Sequence, residues 1–229
     1  MARKKIIAKI ANKELVEAKH KQIIEAASEL FLKKGFHKAS MRDIARESNI
    51  DLSYLYQYIT TKDDILYLFY EYVSSKYEHI YEMIQSSEDE DALVVMQKAV
   101  FTIVEAIHEL QREVKTMYTE SRHLAKDSLQ SVLERESEFV KIFETLIRRG
   151  IQSGSFRVED PVMAANIVQF LLVIEGLRGW NFRDRYCFED FAQTLIEFIM
   201  HGLRVDEEKW RKLKSEAHSL RKKSTSVTG

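Results

Sequence analysis

Proline and glycine are scarce in this 229-residue chain, which holds one of the former, Pro161, and seven of the latter. Hairpins and tight turns draw on both residues. The shortage therefore argues against a hairpin-rich architecture and predicts an all-α chain of long helices joined by short connections. A single cysteine, Cys187, rules out an internal disulfide framework and fits a reducing, cytoplasmic setting. The seven histidines are scattered, with no HxxxH pair, so no metal site is expected. No apolar run approaches the roughly 18–20 residues of a membrane span, and the run behind the basic MARKKIIAKI is too short and too charged for a signal peptide. No phosphate-loop pattern surrounds Gly150 or Gly154, and Ser155 lacks nucleophile-elbow spacing. The adjacent carboxylates Asp63 and Asp64 fall at a helix start, where they complement the dipole. No catalytic residue or cofactor is expected, and the chain does not read as an enzyme.

Charge is present in both signs but unevenly. The net of −1 divides into +6 over residues 1–62, −10 over 63–205 and +3 over 206–229. A basic head on an acidic body suggests that the head meets a polyanion and the body does not. Ordinary surface variation produces such asymmetry too, so the charge alone does not decide. The same divisions give the expected organisation: a head with a basic amino-terminal arm, a helical body and a basic tail.

Helical periodicity is strongest in the head. Val16, Ile23, Ala26, Ala27, Leu30 and Phe31 predict a helix over 13–34, closed by Gly35. Ser40 followed by Asp43 is a capping-box pattern that opens a short helix over 41–47. Asn49 stands where the chain must turn, a residue that tolerates left-handed geometry. Asp51 is the expected cap of a third helix over 52–58, and Thr60 or Thr61 that of a fourth running from Lys62 to about Gln85. Helix, short turn and helix make a helix-turn-helix, whose second helix enters a DNA major groove. On this reading Ile50 and Leu55 face inward. Tyr54, Gln57 and Tyr58 face outward with Tyr56 at the edge, so the tyrosine hydroxyls can meet phosphate oxygens. Lys62 at a helix start is a second phosphate candidate. The competing view of each tyrosine is half-buried packing.

The stretch IIEAASELFLKKGFHKASMRDIARESNIDLSYLYQYITTKDDIL resembles the DNA-binding domain of the TetR family of bacterial transcriptional regulators. Agreement is dense across EAASELF, Gly35-Phe36, Ser40, Asp43-Ile44-Ala45, Leu55-Tyr56, Lys62 and Leu66. Asn49 stands where the family usually has glycine, Ile59 where it has phenylalanine, and Leu52-Ser53 at an often basic start of the recognition helix. The operator sequence is therefore not transferable. By family position, the resemblance implies that Arg42, Leu52, Ser53, Tyr54 and Gln57 lie at or near base edges, and that Ser40, Tyr56, Tyr58 and Lys62 meet phosphates. An ion pair with a neighbour is the alternative for Arg42. Arg3, Lys4, Lys5 and Lys9 form either an arm reaching DNA or a merely soluble tail.

Beyond residue 68 the family resemblance fades, and periodicity still reads. It predicts helices over 92–112, 114–124, 127–152, 162–182 and 188–203, with an acidic break at 86–91 and a loop at 153–161. The helix over 162–182 is apolar almost all round and must be buried on every face. The family resemblance supplies the missing cover: its last helices pair with their twins in a homodimer, so that two heads meet the half-sites of a near-palindromic double-stranded operator. Phe101, His108, Tyr118, Arg122, His123, Phe143, Phe170 and Trp180 are candidates to line an effector cavity, although an aromatic stripe more often marks core. TMYTESRHL and RVEDPVMAANIVQFLLVIEGLRGW are similar to the branch of TetR regulators that senses fatty acyl-CoA, which implies Arg122, Arg178 or Arg183 near an anionic head group. The resulting expectation is a repressor released from its operator by a small apolar or amphipathic ligand. A helical protein-interaction module that does not bind DNA is the other class, and salt dependence separates the two.

Overall fold

The computed structural model describes residues 4–76, 78–87 and 89–215. Among the described residues eleven α-helices follow one another: α1 Lys13–Lys34, α2 Met41–Glu47, α3 Leu52–Leu55, α4 Lys62–Ser75, α5 Glu78–Ser86, α6 Ala92–Glu109, α7 Gln111–Glu120, α8 Lys126–Gln152, α9 Pro161–Leu172, α10 Ile174–Phe182 and α11 Phe188–Gly202. A 3₁₀ turn, Ser121–His123, lies between α7 and α8. There is no strand among the described residues. No single described helix is long and apolar enough to cross a membrane.

Local signals set most ends. Asn12 caps α1 by accepting from the Leu15 amide at 3.1 Å. Gly35 ends it at φ +79° and donates to the Phe31 carbonyl at 2.8 Å. The capping boxes of Ser40 with Asp43 and of Thr61 with Asp64 are both complete. Three of the longer helices end or divide earlier than periodicity suggested, because breaks occur without glycine or proline. The expected helix over 62–85 divides after Ser75, the one over 92–112 ends at Glu109, and the one over 162–182 divides at Val173. At Leu110 the amide is shared between the Ala106 and Ile107 carbonyls, the tightening typical of a helix end. Helix α8 begins one residue before its expected cap, Asp127, which sits instead in the first turn.

Two compact units emerge, and none of the divisions between them falls at residue 62. The first joins residues 1–79 to 106–138 and 173–181. Within it α1 and α4 both pack on α7, so the head shares one core with later helices. Ser28 and Thr116 meet inside that core at 3.2 Å, and the Tyr70 hydroxyl donates to the Met117 carbonyl at 3.2 Å. Gly176 lies against α7: a Cβ there would stand 2.5 Å from Val114 Cγ1.

The second unit joins residues 80–105, 139–172 and 182–229. Its described carboxyl end is not a separate tail. The Asp206 amide donates to the Ser155 carbonyl at 3.0 Å, Trp210 is buried, and Lys209 reaches Ser155 Oγ at 3.0 Å beside Asp91. Residues 216–229 of the expected tail lie outside the described residues.

The amino-terminal arm is tied down in the first unit. Lys4 Nζ meets Asp63 Oδ2 at 2.6 Å, Asp64 Oδ1 at 2.8 Å and Ser128 Oγ at 2.8 Å. Its amide donates to Ser131 Oγ at 2.9 Å. Lys4 is thus a clasp between α4 and α8 and not a free DNA-reaching residue. Lys9 is held by its backbone, donating to the Gln57 carbonyl at 2.7 Å, while Lys5 is exposed and Arg3 lies outside the described residues.

Burial by itself would raise the Asp63 and Asp64 carboxyls; hydrogen bonds from Lys4 and from neighbouring donors outweigh it and hold both below the ordinary carboxylate value. Their contribution is present above that value and is lost as pH falls through the depressed one. Burial would lower Lys4, but Asp63 and Asp64 outweigh it and leave the ammonium raised, so its contribution persists at neutral pH and is lost only as pH climbs past the usual lysine range. Lys4→Ala should cost about 1–2 kcal/mol at neutral pH, a value between exposed and buried pairs. It should also flatten the loss of stability on acidification toward pH 3. Urea unfolding of both proteins across that range checks this.

Candidate nucleic-acid interface

The head builds one outward surface from short elements over a closed core. Ile44, Ala45, Ile50 and Leu55 are buried and hold α2 against α3. Between them Asn49 takes φ +51°, the left-handed turn expected of it. The Ile50 amide then donates to the Ala45 carbonyl at 2.9 Å, which sets the angle between the helices. Outward of this core stand Arg42, Ser53, Tyr54 and Tyr56, all exposed, with Leu52 and Gln57 half-buried. Tyr54 and Tyr56 keep 41% and 40% of their surface.

Arg42 takes no part in the ion pairs of the described residues. The adjacent Asp43, which the alternative ion pair would use, is taken by Lys34 at 2.7 Å and Arg46 at 3.1 Å. Hydrogen bonds from Lys34 and Ser40 hold the Asp43 carboxyl well below its usual range. Ser40 is exposed at the start of α2, and its hydroxyl donates to Asp43 Oδ2 at 2.7 Å.

Two expected phosphate contacts are corrected. Tyr58 is 0% exposed and faces inward. Helix α3 ends at Leu55, and the following amides of Gln57 and Tyr58 bond three residues back, at 2.9 and 3.0 Å. This tighter winding turns position 58 toward the core, and its ring meets Tyr54 edge to face at 5.1 Å. Asp51 supplies no side-chain cap to the shortened helix. Lys62 spends its ammonium inside the head, donating to the Phe36, Ala39 and His37 carbonyls at 2.7, 2.9 and 3.4 Å. It also lies 4.4 Å over the Phe36 ring, and burial lowers its pKa. It ties the α1–α2 loop to the start of α4, a role that sequence spacing does not signal.

The eight effector candidates are dispersed. In the first unit, His108 Nδ1 stands 2.8 Å from Glu175 Oε1, to which Gln111 Nε2 also donates at 2.9 Å. His123 stacks on Phe36 at 5.1 Å and meets His37 at 4.2 Å. That packing, with desolvation first and the nearby cations after it, lowers its pKa. Tyr118 is half-buried. Arg122 is exposed, with Nε donating to His123 Nε2 at 3.2 Å. Trp180 is 68% exposed beneath the Arg178 guanidinium, 5.6 Å from its ring, so it is surface and not cavity lining. In the second unit, Phe101 is half-buried 6.2 Å from Phe188, and Phe143 is wholly buried against Phe139 at 5.3 Å. Phe170 is 56% exposed, which removes it too from a cavity wall. It shares an outward stripe of α9 with Met163 and Ile167, while Ala165, Val168 and Leu172 take the buried side.

Among the described residues no cluster of His, Cys, Asp and Glu has the makings of a metal site. Residues 23–67 match the family model for bacterial regulatory proteins of the tetR family, and residues 89–180 that for the tetracyclin repressor-like C-terminal domain. The HTH-type transcriptional regulator HbdR of Aromatoleum sp. (strain CIB) is 29% identical over 198 residues, 85% of this chain and 81% of that one. The fatty acid metabolism regulator protein of Bacillus subtilis (strain 168) is 24% identical over 190 residues, 81% of this chain and 95% of that one. In structure, FadR from Bacillus subtilis in complex with stearoyl-CoA superposes with a TM-score of 0.65 at 21% identity, covering 80% of this chain and 98% of that one. The family models together span more than half of the sequence, the first of them over the helix-turn-helix, and so the chain belongs to the TetR family of bacterial transcriptional regulators.

Proposed function

We propose that this regulator binds a near-palindromic DNA operator as a homodimer and is released from it by an amphipathic acyl ligand, a fatty acyl-CoA being the best-supported class. The observation that carries the DNA half is the outward row of Arg42, Leu52, Ser53, Tyr54 and Gln57 above a closed core. Arg42 reads bases, its guanidinium matching the acceptor edge of guanine, and Leu52 offers an apolar contact to a thymine methyl. Ser40 and Tyr56 meet phosphates and fix the register. The acyl half is supported by likeness to a fatty acid metabolism regulator and to a structure holding stearoyl-CoA. A ligand that prefers the DNA-incompetent state weakens operator binding by that difference in affinity.

Selection of bound duplexes from a random pool at low salt, followed by anisotropy titration, tests the DNA half. Affinity should fall steeply with ionic strength as counterions are released. Arg42→Ala should cost ~1–3 kcal/mol at one base pair and little at the others. An equal loss on every sequence removes Arg42 from base reading, and no preference for any duplex removes the operator.

A further inference from the structure

Among the charges of the second unit, Arg149 alone has side-chain nitrogens that are shut from solvent and without a hydrogen-bond partner among the described residues. Those nitrogens are Nε and Nη2. They form one edge of the guanidinium, two parallel N–H donors at the spacing of the two oxygens of a carboxylate or a phosphate. Burial of this edge without an acceptor is costly, and a guanidinium cannot shed its charge to escape that cost. The unit does not lack carboxylates, but those in ion pairs are committed elsewhere. Glu144 holds Arg148, Asp91 holds Lys209, Glu197 holds Lys214, Glu159 holds Arg204 and Asp206 holds Arg157. Arg149 lies in the last turn of α8, beside Gly150, whose backbone is covered by the Phe156 ring.

We propose that the Nε/Nη2 edge of Arg149 receives the oxyanion of the effector, a carboxylate or a phosphate joined to a long acyl chain. The inference rests on the acyl-effector reading above and adds to it the group that recognises the charged end. It displaces Arg122, Arg178 and Arg183 from that role, since all three guanidinium-bearing residues are exposed. An oxyanion on Arg149 supplies the missing acceptor and neutralises the charge, so the ligand favours whichever state buries this edge.

The test compares the wild type with Arg149→Met, which keeps the apolar stem without the charge, and Arg149→Lys, which keeps the charge without the two-donor edge. Oleate, oleoyl-CoA and coenzyme A alone are the probes. Melting temperature and release of the selected duplex are the readouts. The unliganded Met variant should melt higher than the wild type, because an unpaired buried charge is gone. For the probe that releases the wild type, it should need about 10- to 100-fold more ligand for release, with the Lys variant intermediate. Dominant loss toward oleate assigns the oxyanion to a carboxylate; dominant loss toward oleoyl-CoA, with a response to coenzyme A alone, assigns it to a phosphate. A wild type that binds duplex but responds to none of the probes overturns the acyl-effector reading and this proposal with it. A responsive wild type matched by both variants overturns Arg149 alone, as does a Met variant that melts lower and no longer dimerises.

Discussion

Replacing Ile167 and Phe170 together by glutamate will give a folded monomer whose affinity for the selected operator is lower by roughly 1,000-fold, the avidity lost when two linked heads become independent. Helix α9 carries the effect. It buries Ala165, Val168 and Leu172 on one side and exposes Met163, Ile167 and Phe170 on the other. A helix this apolar cannot leave its outer stripe in water without a reason. Phe198 on α11 of the same unit is likewise exposed. Covering such side chains contributes about 1.5–3 kcal/mol each, and a two-fold axis uses every one twice. The axis also brings each introduced carboxylate toward its own copy, so the substitution removes apolar contact and adds repulsion. Both positions are exposed within the chain, so the fold should be spared, and circular dichroism with thermal melting checks that. Sedimentation equilibrium reads the oligomer. A variant that still sediments as a dimer and binds as before places the interface elsewhere.

Lys62→Ala should destabilise the protein by about 2–4 kcal/mol and abolish binding to all duplexes alike. Its ammonium satisfies the Phe36, His37 and Ala39 carbonyls. Hydrogen bonds to a charged group contribute about 1.5–3 kcal/mol, and acceptors left unsatisfied add desolvation. The α1–α2 loop carries Ser40, the cap of α2, so loosening it disorders the entry to the helix-turn-helix. A phosphate-binding lysine behaves differently: its loss lowers the salt slope by about one and leaves stability alone. Chemical denaturation and salt titration of the same variant therefore separate the two roles.

These effects show where sequence reading reaches its limit. The ends of α1 and the caps at Ser40 and Thr61 were legible, because each depends on a few adjacent residues. Asn49 was legible for the same reason, since few residues accept φ +51°. The outward set on α2 and α3 followed from helical phase and the family resemblance. Tyr58 did not, because winding after Leu55 changes and phase no longer predicts direction. Lys62 was misjudged because its acceptors come from a loop 23 to 26 residues earlier. The breaks near Lys76, Leu110 and Val173 carry no punctuation residue, so periodicity runs straight through them. Arg149 escaped notice since one of two adjacent arginines near a helix end reads as solvated surface; only burial of its nitrogens distinguishes it from Arg148, which has a partner.

The Lys4 clasp also bears on the order of folding. Its bond to Ser128 joins residues 124 apart in the chain, and that to Asp63 residues 59 apart. Closing loops of such length costs entropy before any contact repays it. The helical head, built from near neighbours, can form first, and the clasp closes late. Interactions absent from the folding transition state act on the rate of unfolding. Lys4 therefore sets how long the native molecule lasts more than how fast it is reached, and an exchange measurement on Lys4→Ala should find the difference almost wholly in the opening rate.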